Sequence, residues 1–85
     1  MIVRKILFDA RALEHPEPLE RATRYLQEMD ESSYLYMLHR KKPVPLLQLA
    51  ANHGFSHLSH EADDGIWHIL ITKTPHTNLK ALLDV

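Results

Sequence analysis

Asp9-Ala10-Arg11-Ala12-Leu13-Glu14-His15-Pro16-Glu17-Pro18 is the join on which the fold turns. Upstream, residues Met1–Phe8 (MIVRKILF) are β-branched and apolar except at Arg4 and Lys5, which predicts a strand. Downstream, Leu19, Ala22, Leu26 and Met29 recur at helical spacing and form one apolar stripe. Pro16 suits the first helical position, and Glu17 suits the positive end of the helix. Glu17–Arg21 and Glu20–Arg24 are i,i+4 pairs on the wet side, each supporting the helix by ~0.3 kcal/mol. Residues 9–18 therefore carry the chain from a strand into a helix.

Beyond that helix, Asp30-Glu31-Ser32-Ser33 is a break, and Tyr34–His39 (YLYMLH) reads as a central strand because it is aromatic and apolar almost throughout. Arg40-Lys41-Lys42-Pro43-Val44-Pro45 is a loop, and Leu46–His53 a short second helix closed by Gly54 at its C′ position. Phe55–Ala62 and Ile66–Lys73 are two strands joined at Asp63-Asp64-Gly65. A two-residue Asp64-Gly65 turn would pair Ala62 with Trp67, His60 with Ile69 and Leu58 with Ile71. That register would put His57, Glu61 and His68 on the face opposite the apolar residues. A three-residue turn would instead set His60 against His68, and both registers stay open at this level. Residues 74–85 read as a tail with a short helix around Leu79–Leu83, following a single domain over residues 1–73. The order β-α-β-α-β-β, with right-handed crossovers, gives an α/β (α+β) two-layer sandwich: a four-stranded mixed sheet with both helices on one face.

Composition narrows the function classes. The chain has 85 residues, 45% apolar and 25% charged, which is a globular balance. A chain this short buries only about 60–65% of its unfolded surface, too little to enclose a bulky cofactor. It contains no cysteine, so disulfides, thiol catalysis and Cys-ligated zinc are excluded. No apolar run approaches the roughly 20 residues of a membrane helix, and no signal-peptide h-region opens the chain. A formal charge of −1 gives no general attraction to nucleic acid or to an anionic membrane. The expected location is cytoplasmic. The chain is rich in histidine: protonating all seven would carry the charge from −1 to +6, so the charge should change sign close to the pI of about 6.6.

The Asp9–Pro18 segment resembles the opening of TusA-type (SirA-like) sulfur-carrier proteins, in which a D-x-R-G-L-x-C-P-x-P segment joins strand 1 to helix 1. The resemblance extends to about Lys73, with His39-Arg40 before Pro43-x-Pro45-Leu46-Leu47 and then Gly54-Phe55-Ser56-His57, features that look like an uncharacterised branch of TusA-related domains. It implies the same sandwich, with strand 3 parallel and strand 4 antiparallel. The family's functional residue is the cysteine before the first proline, which carries a persulfide. Here that position is His15, and Ala12 replaces the usual glycine. The fold carries over and the sulfur chemistry does not.

In such a sheet the carboxyl ends of strands 1 and 2 share one edge with the following helix N-termini. That edge would gather Asp9, Arg11, His15, Pro16 and Glu17 after strand 1 and His39, Arg40 and Lys41 after strand 2, with His60 and His68 pointing towards it. Imidazoles suit zinc, copper or nickel, so His15, His39, His60 and His68 form a candidate metal set. Two helix N-termini with free N–H groups, together with Arg11 and Arg40, favour a small anion instead. No Gly-rich serine elbow, cysteine or positioned carboxylate pair is present, so no enzyme is expected. The leading expectation is a non-enzymatic accessory or adaptor domain that docks on a partner protein through the helix-1 rim. It would act as a monomer or weak homodimer with no cofactor. The alternative is a small ligand-binding domain for a divalent metal or an anion, built on His15, Arg11, Arg40 and the other rim histidines.

Overall fold

The computed structural model describes residues 4–75 and 78–85. The expected strand start at Met1–Val3 and the tail positions 76–77 lie outside the described residues. The elements run β1 (Arg4–Asp9), α1 (Glu17–Glu28), β2 (Ser33–His39), α2 (Val44–Asn52), β3 (Ser56–Glu61), β4 (Trp67–Thr72) and a 3-10 turn at Leu79–Leu82. The sheet order is β1-β2-β4-β3; β1 and β2 are parallel, and β4 is antiparallel to both β2 and β3. β3 is therefore parallel to β1 and β2, and the four-stranded mixed sheet carries both helices on one face.

That face is the main core. Phe8, Leu35, Met37, Ile69 and Ile71 rise from the strands to meet Ala22 and Leu26 of α1 and Leu46, Leu47 and Ala50 of α2. The expected stripe on α1 is the one that packs: Ala22, Leu26 and the C-capping Met29 are buried, and Leu19 lies half-buried beside them. Pro16 stands one position earlier than expected, at the N-cap, so Glu17 opens the helix and the second proline, Pro18, falls inside its first turn. Glu17 pairs with Arg21 at 3.2 Å on the exposed side. Helix α2 ends in a Schellman motif: Gly54 N–H donates to Ala51 O, and Phe55 N–H donates to Ala50 O. Gly54 takes φ +81°, a left-handed conformation that glycine adopts without a side-chain penalty.

The hairpin register is the three-residue one. Gly65 N–H donates to Ala62 O and Ala62 N–H to Ile66 O, closing Asp63-Asp64-Gly65 with Gly65 at φ +84°. His60 lies opposite His68, and Leu58 opposite Leu70. The one-residue difference from the two-residue register turns β3 over: His60 joins His68 on the face away from the helices, and His57 and Glu61 move to the helix-side face, exposed on the edge strand β3.

The second sheet face has its own small core, in which Tyr34, Tyr36 and Leu70 are covered by Leu79, with Leu58, Leu82 and Leu83 packed around them. Polar contacts tie the tail down. Asp84 N–H donates to Tyr36 Oη at 2.9 Å, and Tyr36 Oη lies 2.6 Å from His68 Nδ1. The Lys5 ammonium pairs with the Asp84 carboxylate and sits 4.3 Å above the Tyr36 ring. Among the described residues, no helix is long and apolar enough to cross a membrane.

Candidate functional site

The rim at the N-termini of the two helices is where the topology brings the predicted residues closest, and it holds a cleft of about 580 Å³. Two similar turns wall it. Pro16-Glu17-Pro18-Leu19 starts α1 and Pro43-Val44-Pro45-Leu46 starts α2, each with proline at the N-cap and again at the second helical position. Pro18, Leu19, Pro43, Pro45 and Leu46 line the cleft from the two sides, with Leu13 and Met37 beside them. His15, Glu14, His39, Arg40, Lys41 and Lys42 supply its polar lining. Three permanent cations face one carboxylate, so the lip is electropositive.

His39 is the buried member. It ends β2, is 6% exposed, and accepts the Arg40 N–H on Nδ1 at 2.9 Å. This fixes the neutral tautomer with the proton on Nε2. Burial, reinforced by the neighbouring Lys41 and Arg40 charges, holds its pKa below the usual imidazole value. Among the described residues every sealed side-chain nitrogen or oxygen has a partner and Nε2 of His39 has none, so Nε2–H is open to the solvent of the cleft it lines. Arg40 reaches across the mouth, with Nη2 3.4 Å from Leu13 O and 3.8 Å from Glu14 Oε1. Lys42 extends over the Trp67 ring at 5.8 Å, linking the lip to the single tryptophan.

The other predicted residues fall elsewhere. Arg11 folds back on Asp9, donating from Nε at 2.8 Å, Nη2 at 2.7 Å and its backbone N–H at 3.1 Å. This clamp lowers the Asp9 pKa to about 2, mainly through the guanidinium hydrogen bonds. Arg11 is thus already satisfied, and neither it nor Asp9 lines the cleft. Pro16 and Glu17 are exposed, and Glu17 is turned to Arg21.

The four-histidine set is not assembled. His39 and its cross-strand partner Trp67 share the helix-side face, whereas His60 and His68 share the opposite one, and His68 is engaged by Tyr36. Among the described residues no three His, Cys, Asp or Glu side chains converge into a metal-holding group. The expectation of several free N–H groups at helix 1 also needs correction. Pro16 and Pro18 have none, Glu17 N–H goes to Glu14 O, and Glu20 N–H goes to Pro16 O, which leaves only that of Leu19. Helix α2 repeats the pattern: Val44 N–H goes to Lys42 O and Leu47 N–H to Pro43 O, leaving Leu46.

The apolar walls were the part sequence reasoning missed. The signal was present in the recurrence of Pro-x-Pro-Leu at residues 16–19 and 43–46, once both turns are placed on the same edge of the sheet.

A family model described as "Uncharacterized conserved protein (DUF2249)" matches residues 7–73, from within β1 to just past β4. The chain belongs to this family. A search of curated proteins found no match. Among solved structures, the chain is similar to a SirA-like protein from Desulfitobacterium hafniense, with a TM-score of 0.68 at 24% identity. The match covers 81% of this chain and 95% of that one. At that identity the likeness establishes a SirA-like fold for this DUF2249 member and carries no activity with it.

Proposed function

We propose that this DUF2249 chain is a non-enzymatic, TusA-related accessory domain that docks on a partner protein through the helix-1 rim, without carrying sulfur. The observation that carries this reading is the cleft, an apolar hollow with an electropositive lip at the mouth of α1. In the resemblance to TusA-type proteins, His15 stands at that mouth in place of the carrier cysteine. A persulfide needs a thiolate, and the chain has no cysteine. What the rim retains is a shaped, charged surface, and such surfaces steer and orient a partner. The domain needs no cofactor for this role.

The test is affinity capture with the intact, tagged chain in its own cells, comparing wild type, Arg40→Glu and Lys73→Glu. Lys73 follows β4 at the opposite end of the sheet from the rim. A protein held by wild type and by Lys73→Glu but lost from Arg40→Glu supports rim docking. Loss from both variants, or from neither, contradicts it.

A second reading, that the rim binds a small anion, is favoured by one specific observation: the buried His39 presents an Nε2–H with no partner among the described residues to a concave site beside Arg40 and Lys42. The metal variant of that reading has no comparable support, because the histidines it needs lie on two faces of the sheet.

A further inference from the structure

The cleft's chemistry is narrower than that of a general anion site. Phosphate and other dianions are held by runs of consecutive backbone N–H groups at a helix start. Here prolines at the N-cap and second position of both helices remove those donors, and each first turn keeps a single one, on Leu19 and on Leu46. The remaining side-chain donors are separate: His39 Nε2–H at the end of β2, and His15, Arg40, Lys41 and Lys42 at the lip, where the Glu14 carboxylate opposes them. One buried neutral donor, with lip cations partly offset by Glu14, suits one small monoanionic head. Around it the lining is mostly aliphatic, and a bare inorganic ion would leave those walls wet. The volume of about 580 Å³ falls within the range of small-molecule sites.

We propose that the cleft binds a monocarboxylate with an apolar body of several carbons. Its carboxylate would sit at His39, Arg40 and Lys42, and its body between the two Pro-x-Pro-Leu turns. This rests on the small-anion reading above and specifies its ligand. The chemistry is complementary at both ends: a carboxylate accepts the one buried N–H and pairs with the lip cations, while the chain covers Leu19, Met37 and Leu46. Lys42 also lies over Trp67, so a carboxylate drawing Lys42 towards the cleft alters the surroundings of the only tryptophan. The site thus contains its own reporter.

The experiment titrates the intact chain with sodium octanoate, sodium acetate, sodium phosphate and 1-octanol, following Trp67 fluorescence and amide chemical shifts. Octanoate is expected to saturate, with shifts centred on Leu19, His39, Lys42 and Leu46, and to bind at least about tenfold more tightly than the other three probes. Arg40→Gln combined with Lys42→Gln should weaken octanoate by about tenfold or more, while Lys73→Gln should leave it unchanged. Acetate or phosphate matching octanoate at the same residues overturns the proposal and leaves the small-anion reading standing. Octanol matching octanoate, or shifts centred on Tyr36 and Leu70, overturns it as well. No binding by octanoate, acetate or phosphate overturns both.

Discussion

At the scale of single residues, the rim separates into groups already satisfied and groups left open. Asp9 and Arg11 are each other's partners, and their geometry makes a direct prediction. A carbon-13 NMR titration should place the Asp9 midpoint near the value of about 2 set by the Arg11 hydrogen bonds, and Arg11→Gln should return it towards the ordinary 3.8. A midpoint near 3.8 in the unaltered chain would mean that the clamp is not formed. His39 behaves in the opposite sense to a salt-bridged histidine. Its pKa in the fold lies below the ordinary 6.5, through burial and then the Lys41 and Arg40 charges. The fold therefore keeps the stability due to neutral His39 above the unfolded value and loses it as pH falls through the lowered one. Urea unfolding between roughly pH 7.5 and 5 should show the wild type losing more stability than His39→Asn, whose Oδ1 takes the place of Nδ1 in accepting the Arg40 N–H. Equal losses would show that His39 is not held neutral.

At the scale of elements, the strands and helices follow from periodicity and punctuation. The α1 stripe, the aromatic β2 and the Gly54 cap were legible because each depends on residues close in sequence. The β3–β4 register was not, because Asp63-Asp64-Gly65 admits both a two- and a three-residue turn. The choice is made by what the pairing buries: with His60 against His68, Leu58 meets Leu70 under the tail. The helix starts were half legible. The prolines announce them, but which N–H groups survive depends on backbone contacts such as Glu17 to Glu14 O, which no local pattern displays. The tail is held through Tyr36, whose hydroxyl bridges His68 and Asp84. Tyr36→Phe removes both bonds at little cost in volume and should destabilise the fold by about 1–3 kcal/mol, with faster amide exchange at Asp84. Unchanged exchange at Asp84 would show that the tail is fixed by its leucines alone.

For the whole molecule, the parallel β1–β2 pair sets the edge that holds the cleft, since it forces both helix N-termini to the same end of the sheet. The order of elements was enough to predict that edge. The cleft itself was not, because it arises from the distance between two turns that are 27 residues apart in sequence. The histidines illustrate the same limit: topology placed His39, His60 and His68 towards one end, but strand alternation assigned them to different faces. The tail gives the second face its cover, with Leu79 buried over Tyr36 and Leu70. Leu79→Ser together with Leu82→Ser should uncover that apolar face and produce concentration-dependent self-association in sedimentation velocity. A double variant as monodisperse as the wild type would show that the face needs no cover.

The central claim is that the rim between the α1 and α2 starts is the working surface of this DUF2249 domain. A photo-crosslinking amino acid placed singly at Lys42, His57, Lys73 or Lys80, in the cells that make the protein, tests it most directly. These exposed positions sample the rim, the outer edge strand, the opposite sheet end and the tail. The account predicts a discrete adduct from position 42 that disappears with Arg40→Glu, and none from the other three. Adducts from position 57, 73 or 80 with none from 42 would contradict it.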